Sequence, residues 1–323
     1  MKRVLITEPI HQVGLDILKA RGNIEVVHLD EATPEALSEA IPGVHGIAVR
    51  TAYLTEDILS KANALEVVSR HGVGCDRIAV DHLSGRGIPL AIAAGANAQA
   101  VAEHTLMLML SVARRLFGLD GLLRNGRWHE RDSFCANDLF NSKMLIVGFG
   151  RIGRRVVPLC KAFGMNVVVA DIALDADLAE SMDCRGVEDF HTELADADFI
   201  SLHVPLDEST RHLISSAEFE AMKPGAILVN CARGGIVDEE ALVDALDSGH
   251  LGGAGIDVFG QEPLSKHPLF ERSNTVLTPH HAAASYLSKQ EMARMAAQNI
   301  VDCFDGRLRE DCIFNLDALK NGS

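Results

Sequence analysis

The sequence has no uninterrupted apolar run long enough to cross a bilayer. Its most apolar helical stretch, Val101 to Ala113, contains Glu103 and His104 and stops at Arg114-Arg115, which is too short and too polar for a span of about 20 residues. No secretory leader is expected either, since Met1-Lys2-Arg3 leads straight into Val4-Leu5-Ile6, a run that reads as a first strand. The seven cysteines, at positions 75, 135, 160, 184, 231, 303 and 312, are odd in number and include no C-x-x-C pair. We read them as reduced thiols of a cytoplasmic protein, with no pairing of Cys303 to Cys312. Basic charge is scarce: 30 Lys and Arg against 45 Asp and Glu give a formal net charge of -15, which argues against a general nucleic-acid or anionic-membrane surface. No H-E-x-x-H is present, and the histidines at 203, 212, 250 and 267 lack ligand spacing, so no metal site is expected. The absence of G-x-S-x-G leaves serine hydrolysis without support.

What is present begins with size. At 323 residues the chain has room for two domains with substantial cores. A content of 47% hydrophobic and 23% charged residues is that of an ordinary soluble globular protein. The organising stretch runs from Lys143 to Asp171. Met144 to Val147 is an apolar run short enough for a strand buried on both faces, and it feeds directly into Gly148, Gly150 and Gly153. In this G-x-G-x-x-G the first glycine allows a tight turn, the second lets backbone approach a pyrophosphate, and the third lets the next helix pack close to the sheet. Ile152, Val156, Val157, Leu159 and Cys160 recur at helical spacing, which points the helix N-terminus at the phosphates. Val167 to Ala170 reads as the next strand and ends in Asp171, a carboxylate able to accept both ribose hydroxyls of the adenosine half. That carboxylate repels a 2′-phosphate, and residues 172–175 supply no Arg or Lys to welcome one. The expected cofactor is therefore NAD rather than NADP.

Toward the N-terminus, Val4 to Thr7, Glu25 to His28, Gly46 to Val49 and Glu66 to Ser69 read as strands separated by helical segments. This βαβ rhythm predicts a parallel sheet with helices on both faces, but no glycine fingerprint marks its first turn. Arg50 and His71-Gly72-Val73-Gly74 follow apolar runs, so they fall at strand carboxyl ends, where doubly wound sheets bind ligands. Asn97 to Arg115 reads as a long helix, apolar nearly all round, which must be buried by the other domain or by a second subunit. A dimer is the economical expectation. Asn125 to Asn141, with the only tryptophan, reads as a polar, irregular loop. Asp198 to Leu202, Ala226 to Asn230, Gly252 to Val258 and Thr275 to Leu277 read as further strands, Ser285 to Asp305 as a terminal helix, and the segment from Arg307 as an acidic, loop-like return to the first domain.

Three ionisable residues, Arg233, Glu262 and His280, lie at strand ends or in the loops after them, on the edge where the cofactor is expected. A guanidinium binds a carboxylate through two parallel hydrogen bonds and can fix the carbon that receives hydride. Gly234 and Gly235 beside it leave room for substrate. An imidazole titrates near neutral pH and suits proton transfer, and a glutamate on its second nitrogen sets the tautomer and favours the protonated donor. The chemistry that fits is carbonyl and alcohol interconversion, with nicotinamide moving the hydride.

At this point the chain resembles the D-isomer-specific 2-hydroxyacid dehydrogenases along nearly its whole length. The resemblance rests on V-G-F-G-R-I-G-R with the later Asp171, H-V-P-L-D-E-S-T-R-H-L-I, V-N-C-A-R-G-G-I-V-D-E-E-A-L, D-V-F-G-Q-E-P-L and N-T-V-L-T-P-H. It implies an α/β architecture of two doubly wound parallel-sheet domains. A Rossmann NAD-binding domain, residues 98–287, would be inserted into a discontinuous flavodoxin-like substrate domain, residues 1–97 and 288–323. It implies a homodimer formed largely through the NAD domains, with Arg233, Glu262 and His280 as the catalytic set and His281 as a neighbour only. Cofactor contacts are expected at Gly148, Gly150, Arg151, Ile152, Gly153, Asp171, His203, Pro205, Thr210, Cys231, Ala232 and Asp257. Substrate contacts are expected at Arg50, Val73, Gly74, Arg233 and His280.

V-R-T-A-Y-L-T around Arg50 and N-C-A-R-G-G-I-V-D-E-E look most like the 3-phosphoglycerate dehydrogenases, in a form without the regulatory domain, with hydroxypyruvate or glyoxylate reduction as the alternative. An NAD-sensing co-repressor-type binding protein shares the architecture, but no peptide-docking segment points to it. A formate-dehydrogenase-like enzyme pairs its histidine with glutamine, and Glu262 speaks against that.

Overall fold

The computed structural model describes residues 1–321. The chain divides into two compact units, one formed by Met1–Asn97 together with the segment from Ala284 onward, the other by Ala98–Ala283.

The first unit holds a sheet of β1 (Lys2–Ile6), β2 (Ile24–His28), β3 (Gly46–Val49), β4 (Val67–Arg70) and β5 (Leu90–Ile92). All pairs are parallel, and the order β2-β1-β3-β4-β5 is the flavodoxin-like arrangement. Side chains alternate between faces, as the two-residue strand period requires. Leu5, Ile47, Val49, Val68 and Leu90 enter one core with Leu37, Ile58, Leu59 and Leu83. Val4, Ile6, Ala48, Val67 and Ala91 enter the other with Leu18, Ala297, Ile300 and Val301. The second face is thus covered by the helices Gln12–Lys19 and Tyr286–Phe304. Ser285 caps the latter by accepting from the Ser288 N–H at 3.1 Å.

The segment after Arg307 returns to the same sheet, where Phe314 N–H donates to the Leu90 carbonyl at 2.8 Å and Asn315 accepts from Leu90 N–H at 2.8 Å. It is not purely a loop, because Leu316–Asn321 closes it as a helix. β5 is passed over in the sequence although it lies in the apolar run Ile88 to Ala94, because Pro89 interrupts the run just before the strand.

The second unit is a seven-stranded, all-parallel sheet of β6 (Lys143–Val147), β7 (Asn166–Ala170), β8 (Arg185–Val187), β9 (Phe199–Leu202), β10 (Ile227–Asn230), β11 (Gly253–Ile256) and β12 (Thr275–Leu277). Its order is β12-β11-β10-β9-β6-β7-β8, a doubly wound sheet whose strand order reverses between β6 and β9. β8 escapes a reading of apolar runs because it is three residues long and starts with Arg185.

The helix Ala98–Ala113 corrects one expectation. Most of its apolar girth is buried inside its own unit, against β10, β11, β12 and the helix Gly153–Ala162, while Met107 is exposed and Leu106 and Leu110 are half-buried. Glycines in β11 make the space: a methyl group on Gly253 would lie 2.6 Å from Val112 Cγ1, and one on Gly255 would lie 2.8 Å from Leu108 Cβ. Further exposed apolar side chains follow at Leu116, Phe117, Leu123 and Trp128. The stretch expected to be an irregular loop contains a 3₁₀ helix, Trp128–Ser133.

Candidate active site

Because every strand of the second unit is parallel, every loop leaving a strand's carboxyl end lies along one edge of the sheet. Reading that edge in spatial order gives His280 after β12, Asp257 to Glu262 after β11, Arg233 after β10, His203 after β9, Gly148 after β6 and Asp171 after β7. Residues separated by more than a hundred positions in sequence thus become neighbours through strand order alone.

At the β6–β9 switch point the glycine turn has the geometry that a phosphate requires. Gly148 has φ +100, and a methyl group there would sit 2.7 Å from the His203 carbonyl carbon. One on Gly153 would overlap the Gly148 carbonyl oxygen, so only glycine lets the helix approach the strand, while none of the described residues comes within 4 Å of a methyl position on Gly150. The helix Gly153–Ala162 begins at Ile152 with no side-chain cap; Arg154 and Arg155 N–H already bond the Gly150 and Ile152 carbonyls at 3.1 and 2.8 Å, so an anion would use the N–H groups of the turn before them. Arg151 is exposed beside it. Asp171 accepts from Phe149 N–H at 2.7 Å through one oxygen and from Ala173 N–H at 2.9 Å through the other. The carboxylate is therefore oriented before any ribose arrives. These residues fit a dinucleotide with an unphosphorylated ribose.

Farther along the edge, His203 hydrogen-bonds the Ser201 hydroxyl through Nε2 at 2.7 Å, while its buried Nδ1 has no partner. Burial pushes this imidazole down to about 4, so it is neutral at physiological pH. Thr210 holds its own loop, donating to the Pro205 carbonyl at 2.7 Å and accepting from Asp207 N–H at 2.8 Å. Cys231 and Ala232 are buried, and burial pushes the Cys231 thiol up to about 12.

Three loops carry the ionisable groups. Asn230, at the end of β10, shapes the first by accepting from Ala232 N–H at 3.0 Å and donating to the Arg233 carbonyl at 2.8 Å. Arg233 is half-buried, with Nη1 donating to the Ala232 carbonyl at 2.7 Å. Gly234 lies directly on the backbone of Phe259 and Gly260, where a methyl group would overlap it. Gly260 N–H in turn donates to Glu239 at 2.6 Å, and Glu239 also pairs with His267 Nε2 at 3.0 Å. Glu262 accepts from Phe259 N–H at 3.1 Å and meets His280 Nδ1 at 2.7 Å. His280 is exposed and has φ +50, a left-handed conformation costing a non-glycine residue roughly 1 kcal/mol or more. Glu262 thus fixes the tautomer at Nδ1 and leaves Nε2 for another partner.

Asp257 has no exposed surface. Its carboxylate accepts from the N–H groups of His281 at 2.7 Å and Ala282 at 2.9 Å, and from the Thr278 hydroxyl at 2.5 Å. Burial alone would raise this acid, but those bonds, with the nearby His104, hold it below the usual carboxylate range.

In the first unit, Arg50 is exposed and donates from Nη1 to the Pro9 carbonyl at 2.9 Å. Arg70 donates from Nε to the Gly74 carbonyl at 2.7 Å and also bonds the Arg50 carbonyl. It therefore ties the Val73-Gly74 loop to the end of β3. His71 is buried, and burial together with the charges of Arg50 and Arg70 pushes it down to about 4.

Residues 106–282, more than half the chain, match the model for the D-isomer specific 2-hydroxyacid dehydrogenase, NAD binding domain. The chain belongs to this family. A glyoxylate reductase of Thermococcus litoralis is 34% identical over 99% of this chain and 98% of its own length. A D-3-phosphoglycerate dehydrogenase of Methanocaldococcus jannaschii is 38% identical over 97% of this chain, which spans 59% of that relative. Across the first three curated relatives with that name the span is 55–59%. Among solved structures, a glyoxylate reductase from Paecilomyes thermophila matches with a TM-score of 0.86 at 27% identity, covering 95% of this chain and 97% of its own. The glycine turn and Asp171 thus lie within the stretch that matches this family's NAD-binding domain.

Residues that sequence reasoning passed over are those acting through others: His104, Thr278, Glu239, His267 and Arg70. The sequence signals for three of them are a histidine in a mostly apolar helix, a threonine directly before Pro279-His280, and an arginine ending a strand.

Proposed function

We propose that this chain is an NAD-dependent D-2-hydroxyacid dehydrogenase acting reversibly on a small 2-keto acid, foremost 3-phosphohydroxypyruvate and 3-phosphoglycerate. The observation that carries the reading is the 2.7 Å pair between His280 Nδ1 and Glu262, on the same sheet edge as Arg233 and the glycine turn. Bound nicotinamide would supply or accept the hydride.

The chain's own groups do the rest. Arg233 clamps the substrate carboxylate and orients the carbon beside it. Protonated His280 gives its Nε2 proton to the ketone oxygen during reduction and takes it back in the reverse direction. Glu262 keeps Nδ1–H occupied and holds the ring in orientation. Arg50, Val73 and Gly74 are assigned to the substrate's carboxylate or phosphate. Gly148, Gly150, Arg151, Ile152, Gly153, Asp171, His203, Pro205, Thr210, Cys231 and Ala232 are assigned to the dinucleotide. Asp257, expected among these, is better suited to holding the histidine loop, because its side chain is buried.

The phosphoglycerate reading is supported by the sequence around Arg50 and by relatives of that name at 36–38% identity. Reduction of glyoxylate or hydroxypyruvate is the second reading, favoured by the Thermococcus relative that matches along 98% of its length. We further propose a homodimer using the exposed Leu116, Phe117, Leu123 and Trp128, and a cytoplasmic location. The deciding experiment is NADH oxidation at 340 nm with 3-phosphohydroxypyruvate, hydroxypyruvate, glyoxylate and pyruvate. Turnover greatest with the phosphorylated acid is expected, and inactivity on all four would overturn the assignment.

A further inference from the structure

His104, on the helix Ala98–Ala113, reaches Thr278 Oγ1 with Nε2 at 2.9 Å, and Thr278 Oγ1 reaches Asp257 at 2.5 Å. The direction of these bonds follows from chemistry. A carboxylate only accepts, so the threonine spends its single proton on Asp257 and must accept from His104, whose Nε2 therefore carries hydrogen. Beyond Thr278 the same carboxylate takes the N–H groups of residues 281 and 282, while His280 N–H goes to the Asp257 carbonyl at 2.7 Å. Asp257 thus brackets His280 in the left-handed conformation, gripping the chain before it and after it. The carboxylate has no exposed surface and His104 is largely buried, so water does not compete for these bonds.

We propose that His104 and Thr278 are positioning residues that, through Asp257, hold His280 in register with Glu262. The proposal rests on the reading of His280 as the acid–base group. It assigns His104 no contact with substrate or cofactor. Removing the threonine hydroxyl takes one short bond from the Asp257 oxygen and leaves His104 Nε2–H only its 3.5 Å approach to that same oxygen, and that loss is relieved by movement of the 278–282 loop.

The test compares Thr278→Val, Thr278→Ser, His104→Leu and His104→Gln in the full chain. Thr278→Val and His104→Leu should lower kcat about 10-fold or more, with NADH affinity changed less than about 3-fold, since a lost buried hydrogen bond displaces the histidine and not the glycine turn. Thr278→Ser and His104→Gln, which restore a hydroxyl and an N–H donor, should recover most of the loss. A readout independent of turnover is the downfield proton resonance of His280 Nδ1–H bonded to Glu262, assigned by its loss in His280→Asn. It should broaden or vanish in Thr278→Val and persist in Thr278→Ser. Unchanged kcat and an unchanged resonance in Thr278→Val or His104→Leu overturns the proposal. A wild type inactive on every keto acid sinks the enzyme reading instead, and the resonance still decides the positioning role.

Discussion

Both units are doubly wound parallel sheets with a switch point, yet they treat it in opposite ways. In the first unit, the edge beside β1 and β3 is occupied by the protein itself. The Glu8 carboxylate accepts from the N–H groups of Arg50 at 3.0 Å and Thr51 at 2.5 Å, and those bonds, together with the Thr51 and Thr7 hydroxyls, hold it below the usual range against the opposing effect of burial. In the second unit, the corresponding edge beside β6 and β9 carries Gly148, an uncapped helix N-terminus and an open face at Gly150. The topology supplies N–H groups in both places. Whether a dinucleotide can use them depends on whether a side chain already has.

The comparison breaks most visibly through catalysis. His280→Ala should lower kcat by roughly 10³-fold or more while NADH still binds, whereas Arg50→Ala should raise KM for the keto acid about 10-fold or more with kcat nearly kept. Steady-state kinetics with an NADH fluorescence titration separates the two, and equal effects on kcat would erase the contrast between the units. Next in size, Gly148→Ala should weaken NADH binding at least about 30-fold, from the positive φ and the clash with His203. Gly150→Ala should leave the melting temperature within about 2 °C, because none of the described residues meets the added methyl, so any loss of NADH affinity there comes from the ligand's own approach.

A third prediction uses one buried histidine from each unit. His71 and His203 are both pushed down to about 4 by burial, against about 6.5 in an unfolded chain. The unfolded chain therefore binds more protons between those values. The stability due to keeping each ring neutral is complete above pH 6.5 and is lost as pH falls toward 4, on the order of 3 kcal/mol per ring. Melting temperatures from pH 7 to 4 should fall, and His71→Gln and His203→Gln should each flatten the fall. The smallest effect is expected from Glu8→Gln, which turns one acceptor into a donor facing an N–H and should cost about 1–3 kcal/mol of stability by denaturant melts.

How much of this could be read beforehand followed from sequence distance. Gly148, Gly150, Gly153 and Asp171 lie within one βαβ unit, so spacing alone exposes the cradle. Strand existence was legible where an apolar run stood unbroken, as at Met144 to Val147, and failed at β5, whose run is interrupted by Pro89, and at β8, which begins with Arg185 and Gly186. The girth of the helix Ala98–Ala113 was visible, but the glycines of β11 that admit it onto its own sheet were not recognised as its partner. The bond from Thr278 to Asp257 spans 21 positions and that between His104 and Thr278 spans 174, and no periodicity announces side chains that meet only after the strands have paired.

The seam where Gly234 rests on Phe259 and Gly260 works like the fixed jaw of a caliper. With backbone against backbone, no rotamer change can widen or narrow the gap separating the guanidinium's loop from the loop that carries the histidine's partner. Adapting this protein to a longer or bulkier acid therefore falls to side chains away from the seam, and variants selected for new substrates should leave positions 234, 259 and 260 untouched.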